Sequence, residues 1–216
     1  MALYAIGDLH LSFQTDKPMD IFGDGWTDYE KILEKKWQES VTKDDTVVLV
    51  GDISWATYLA QAVEDFAFLN RLNGKKIILK GNHDYWWETR KKMHEFLQDN
   101  NFSNIDFLYN NSFEVDGINI CGTKGYDEKE DDEKIIRREL SRFELSYKSI
   151  LDKSKKTFAF FHYPPQGLMV ELLEKYEIEL SVFGHLHGLK KDSYKQDKKI
   201  LVSCDYVNFQ PILLSK

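Results

Sequence analysis

Residues 46–52 read TVVLVGD, a run of β-branched and aliphatic residues that stops abruptly at a glycine and an aspartate. The run is too short for a buried helix and shows no polar alternation. That predicts a strand covered on both faces, as in a sheet flanked by helices. The pattern of apolar run and polar stop recurs. LYAI (3–6) leads into GDLH (7–10), KIILK (76–80) into GNHD (81–84), TFAFF (157–161) into HYPP (162–165), and LSVF (180–183) into GHLHG (184–188). Between these runs lie amphipathic helical patterns: YEKILEKKWQESV (29–41), with Ile32, Leu33 and Trp37 on one side, YLAQAVEDFAFLNRL (58–72) and EKIIRRELSRFELSYKSIL (133–151). Strands alternating with helices indicate an α/β fold. FEVDGINICG (113–122) adds a hairpin turning at Asp116-Gly117, and 198–214 reads as two closing antiparallel strands, so the architecture is mixed. With no internal repeat, low-complexity segment or Pro/Ser-rich linker, residues 1–216 read as a single domain.

Composition narrows the function classes. The net charge is −7, which argues against a nucleic-acid partner; the doublet Lys75-Lys76 reads as an ordinary solvated face. The two cysteines, Cys121 and Cys204, lie far apart and form no CxxC pair, which fits a reducing, cytoplasmic setting and indicates neither a disulfide framework nor a thiolate metal site. There is no signal-peptide pattern, and no apolar run approaches the ~18 residues a membrane span needs, so no membrane partner is expected. The acidic stretch DEKEDDE (127–133) reads as a solvated helix start.

The polar stops carry the chemistry. In an α/β sheet the C-terminal ends of parallel strands share one edge, where ligands bind. Of six histidines, His10, His83, His162, His185 and His187 sit in these stops, beside Asp8, Asp52 and Asn82; His94 lies in a helical stretch as a helix-face residue. His185 and His187, two apart in an extended segment, are expected on the same side. Gathering so many imidazoles and carboxylates without a cation would be costly, so a metal site is indicated.

The ordered set D-x-H, GD, GNHD, a lone His and GHxH, spanning residues 8 to 187, resembles the calcineurin-like metallophosphoesterase family, and the small stand-alone bacterial members in particular. The resemblance implies two mixed β-sheets packed face to face and flanked by helices. It implies two divalent metal ions, Mn, Fe or Zn, one held by Asp8, His10, Asp52 and His187, the other by Asp52, Asn82, His162 and His185. A shared Asp52 suits ions ~3.5–4 Å apart, and the nitrogen and oxygen donors do not choose among those metals. A water bridging the ions would act as hydroxide and attack phosphorus in line, while His83 donates a proton to the leaving oxygen. Asp84 is expected to orient the His83 imidazole, or to cap a helix over YWWETRKKMHEF (85–96). A small phosphorylated substrate follows, with phosphomonoesters, phosphodiesters and nucleotide-derived esters all admitted.

Protein phosphatases of this superfamily carry an arginine in GDxVDRG, but here the stretch is GDISWATYL, which argues against protein-phosphatase activity. Two other readings share the pattern. Related folds include nucleases, and the retromer subunit similar to this family is a non-enzymatic scaffold. Around the expected mouth, Trp26, Trp55, Tyr85-Trp86-Trp87 and Tyr163 are read mostly as packing, with Trp26 and Tyr85 exposed, and the long loop 11–27 reads as a lid.

Overall fold

The computed structural model describes residues 1–190, 193–194 and 196–216. The first sheet has five strands: β1 (Leu3–Ile6), β2 (Thr46–Leu49), β3 (Lys75–Ile78) and β4 (Ile105–Phe107) pair in parallel register, and the last strand of the chain, β10 (Ile212–Ser215), closes the sheet antiparallel to β1. The second sheet holds β5 (Phe113–Val115), β6 (Ile118–Thr123), β7 (Thr157–Phe161), β8 (Leu180–Phe183) and β9 (Lys199–Leu201), in that order and parallel from β6 to β9. Each sheet is thus mixed, and α1 (Tyr29–Ser40), α2 (Val63–Arg71), α3 (Arg90–Asp99), α4 (Glu133–Lys148) and α5 (Leu168–Lys175) flank the pair. The continuous apolar runs are buried along β2 and β7, as expected of strands covered on both faces.

The sheets are stitched together close to where their parallel strands end. Gly7 N–H donates to the Val202 carbonyl at 2.8 Å, and Cys204 N–H donates to the Gly7 carbonyl at 3.0 Å. The polar stops of both sheets therefore share one rim. At the β5–β6 hairpin, Asp116 (φ 51°) and Gly117 (φ 76°) both take the left-handed conformation that a tight two-residue turn demands. Asp132 caps α4, its carboxylate accepting from Ile135 N–H at 2.8 Å, which gives the acidic stretch a helix-start role.

Several expectations are corrected. The two closing strands do not pair with each other: β9 joins β8 in parallel and β10 joins β1, because the chain between them passes from one sheet to the other. Ile32 is 37% exposed, while Tyr29, Leu33 and Trp37 form the buried stripe of α1. The helix expected over 85–96 begins only at Arg90, where Thr89 is the cap. Ahead of it Trp86 is fully buried edge-on to Phe66, 5.1 Å between ring centroids, so aromatic packing outweighs helix propensity there. Lys76 is not on a solvated face: it is 0% exposed, with Nζ donating to the carbonyls of Leu72 (2.6 Å) and Gly74 (2.8 Å) just past the end of α2.

Candidate metal centre

Asp8, Asp52 and Asn82 follow β1, β2 and β3, while His162 follows β7 and His185 and His187 follow β8. The sequence places them there by glycine as much as by charge. A Cβ on Gly184 would collide with Asp8 Oδ2, and a Cβ on Gly81 would collide with the amide and carboxylate of Asp52. Asp8 (φ 58°), His10 (48°), Asp52 (51°) and His185 (69°) all hold left-handed backbone, a conformation non-glycine residues keep only where surrounding structure imposes it.

Two groups of donor atoms result, Asp8 with His10 and His187, and Asp8 with Asp52 and His162. His10 Nε2 lies 3.2 Å from His187 Nε2 and 3.8 Å from Asp52 Oδ2. His162 Nε2 lies 3.4 Å from the same Asp52 Oδ2, which stands between the two rings, and 2.5 Å from Asn82 Oδ1. The other Asp52 oxygen accepts from His83 N–H at 2.8 Å. His185 is the outlier. Its backbone N–H reaches the Asp8 carboxylate at 3.0 Å, but its ring sits beside His162 (5.1 Å) and Tyr163 (4.3 Å), whereas the His187 ring sits beside His10 (5.2 Å) and Trp26 (5.8 Å). The same-side expectation for this pair is overturned by the left-handed turn at His185.

These groups fit a cation. The His162 Nδ1 contact with the Val50 carbonyl, 3.1 Å, requires that nitrogen to carry the proton, so Nε2 presents a lone pair to the Asn82 oxygen with no hydrogen between them. His187 Nδ1 is likewise held by Asp205 Oδ1 at 3.0 Å, which fixes the tautomer of the neutral ring with Nε2 toward the site. For His10, Nδ1 is buried without a partner among the described residues. Burial, reinforced by neighbouring imidazoles, lowers the pKa of both His10 and His162, keeping them neutral, the form that ligates. Burial pushes the Asp8 and Asp52 carboxyls up, and the Asp52 charge adds to the rise at Asp8. Converging lone pairs and crowded carboxylates are the arrangement that a bound positive ion relieves.

Two catalytic expectations part company. His83 lines a cleft of about 390 Å³ together with His10, Met19, Trp26, Trp55 and His187, and its ring lies 4.7 Å from that of Trp55. Asp84 does not orient it. Its carboxylate, 0% exposed, accepts instead from the backbone N–H of Asp52 (2.9 Å), Ile53 (2.9 Å), Ser54 (3.4 Å) and Gly81 (2.7 Å) and from Trp86 Nε1 (3.0 Å). Asp84 ties the loop after β2 to the loop after β3, and the His83 Nδ1 has no partner among the described residues. Nor does Asp84 cap α3. Trp26, expected to be exposed, is 8% exposed and packs on His10, Tyr29, His187 and Phe209, so loop 11–27 forms a wall of the cleft; Tyr85 is 59% exposed.

Sequence reading missed Asp205, which holds His187, and Tyr29, whose hydroxyl donates to the His10 carbonyl at 3.0 Å. A signal for Asp205 was present, since it follows the apolar run ILV (200–202) just as Asp52 follows TVVLV. For Tyr29, at a helix start, there was none.

Known proteins share this fold. In the solved structures, a protein of unknown function from Aquifex aeolicus aligns over 98% of this chain and 95% of its own, with a TM-score of 0.55 at 19% identity. The phosphopantetheinyl hydrolase of Mycobacterium tuberculosis aligns over 99% and 95%, with a TM-score of 0.57 at 12% identity. At such identities the likeness concerns the fold. Among curated proteins, the Gene 66 protein of Mycobacterium phage L5 is 31% identical over 77 residues, which span 36% of this chain and 37% of that protein. The family model described as calcineurin-like phosphoesterase matches residues 1–189. The chain belongs to the calcineurin-like phosphoesterase family.

Proposed function

We propose that the protein hydrolyses phosphate monoesters or diesters of small molecules, using two divalent ions held by Asp8, His10, Asp52, Asn82, His162, His185 and His187, with His83 as the proton donor. Membership of the family supports metal-dependent phosphoesterase activity. The finer reading is carried by one observation: a bare His162 Nε2 faces the Asn82 oxygen, and both lie beside an Asp52 oxygen that also faces His10. Bound divalent ions supply Lewis acidity and lower the pKa of water at the site. The chain's own residues do the rest. Asp205 fixes the His187 tautomer. Asp84 holds the Asp52 amide in place. His83, on the cleft side, is positioned to protonate a departing alkoxide. Met19, Trp26 and Trp55 give the cleft an apolar wall suited to an aromatic or apolar alcohol, which keeps nucleotide-derived esters among the candidates. A net charge of −7 favours small esters over nucleic acid.

The test pairs metal analysis with hydrolysis of aryl phosphomonoesters and diesters. The expectation is about two ions per chain. His83→Ala should retain the metal and lose most turnover, whereas Asp52→Ala should lose both. Wild-type turnover by His83→Ala would remove it as the acid, and a Mn²⁺-loaded chain inert toward both ester classes would favour a scaffold.

A further inference from the structure

A second cavity lies beside the metal centre, where the rims of the two sheets meet. It encloses about 290 Å³, at the small end of ligand pockets, so it suits one compact polar group rather than a whole substrate. Three cationic side chains line it: Lys80 after β3, Lys124 after β6, and Arg142 on α4. All three are half-buried, and Lys80 lies in the positive fields of the other two as well as in the negative fields of Asp84 and Glu139. Among the described residues only Arg142 has a carboxylate partner, Glu139 at 2.9 Å; Glu88, the one acidic lining residue, is paired outward with Lys92 at 3.2 Å. The Trp87 indole N–H is buried without an acceptor among the described residues, and Trp87 also lines the cavity. Like charges drawn together with an orphaned donor leave the site short of an acceptor-rich anion.

Position ties this cavity to the chemistry. Lys80 immediately precedes Gly81-Asn82, and the Lys124 carbonyl accepts from His162 N–H at 3.0 Å. Lys124 Nζ lies 5.2 Å from the centroid of the Tyr163 ring, which in turn packs on His185. We propose that the pocket of Lys80, Lys124, Arg142 and Trp87 binds a phosphate group other than the one cleaved, so that the preferred substrates carry two. The assignment of that group to the substrate rests on the phosphoesterase reading; the binding of the anion does not. A free phosphate ion offers the same chemistry, and the experiment separates the two sources.

The full chain, chelator-treated and checked for native near-UV circular dichroism, is titrated with inorganic phosphate while tryptophan fluorescence is followed. Saturable binding is expected, weakened about tenfold or more in Lys124→Gln and in Lys80→Gln, the loss typical of one charge-assisted hydrogen bond, with Lys124→Arg restoring most of it. In a second arm the Mn²⁺-loaded protein hydrolyses p-nitrophenyl phosphate and a nucleoside 3′,5′-bisphosphate. If the pocket takes the substrate's second phosphate, Lys124→Gln lowers kcat/KM about tenfold for the bisphosphate alone. Equal effects on both esters, with phosphate binding still weakened, would overturn the substrate assignment in favour of the free ion. No saturable binding, or binding indifferent to both lysines, overturns the pocket itself. Should neither ester be turned over while phosphate binds through Lys124, the phosphoesterase reading fails and the anion site stands.

Discussion

Gly81→Ala is the sharpest test of how the metal centre is assembled. The Gly81 backbone does not require a positive φ, so alanine is conformationally admissible and the effect is purely steric. Its Cβ would stand 2.8 Å from Asp52 Cγ and closer still to the Asp52 amide and Oδ1. Carbon atoms pack at ~3.5–4.0 Å, so the two loops must part by about 1 Å. They are not free to do so, because Gly81 N–H and Asp52 N–H both donate to the same Asp84 oxygen, at 2.7 and 2.9 Å. Overpacking of this kind costs about 1–3 kcal/mol. A displacement of ~1 Å at the reacting groups costs on the order of 10²-fold in rate. Gly25→Ala is the control, since nothing lies within 4 Å of its added Cβ. Urea unfolding gives the stability, calorimetric titration with Mn²⁺ the affinity, and aryl phosphate hydrolysis the rate. Gly81→Ala should lose on all three measures while Gly25→Ala stays close to wild type. If Gly81→Ala binds Mn²⁺ and turns over like wild type, the close approach of these loops does not build the site.

Other expectations follow from particular contacts. Asp205→Asn keeps the shape but weakens the tautomer lock on His187, so Mn²⁺ affinity should fall about 10- to 100-fold with the fold intact, and a titration showing unchanged affinity would refute the role. Asp84→Asn should impair metal binding as well as turnover, because the carboxylate anchors the Asp52 amide; loss of turnover with metal affinity unchanged would restore the role of orienting His83. Burial lowers the Lys76 pKa from 10.5 to about 7. Between those two values the unfolded chain binds a proton there that the folded chain does not, so folding stability contributed by this site rises with pH across that window, by at most ~1.4 kcal/mol per unit, and is flat below about pH 7. Lys76→Met should lack that slope, and parallel urea midpoints for the two proteins from pH 7.5 to 9.5 would show that Lys76 stays charged.

Much of this fold is legible because β1, β2, β3, β7 and β8 lie in short apolar runs that end at a glycine or histidine. The bounds of β7 and β8 coincide with TFAFF and LSVF for that reason. Elements without such a run are not legible. The β4 strand is only IDF, with Asp106 at its centre, and α5 is two turns long, too brief for a periodic pattern. Role is harder to read than membership. Asp84 sits inside GNHD beside His83, and adjacency in sequence suggested a partnership; its function depends on N–H groups from 52–54, which only the folded chain brings within reach.

The two histidines of GHLHG show why local rules fail at such a site. The period-two rule holds for extended backbone, and it would send both rings to one side. A left-handed residue at His185 (φ 69°) breaks the period at that point. One ring is delivered to His162 and Tyr163, and the other to His10 and Asp8. The Gly184 that precedes them matters as well, since any side chain there would displace Asp8, the residue shared by both groups of donors. On the proposed two-ion reading, one backbone torsion would let a single strand end supply a ligand to each ion, a use of the dipeptide spacing that a single ion would not need. Substitution of Gly184 by alanine should accordingly disturb both halves of the centre together, lowering metal stoichiometry toward zero rather than to one ion. Retention of one tightly bound ion per chain would show that the halves are built independently.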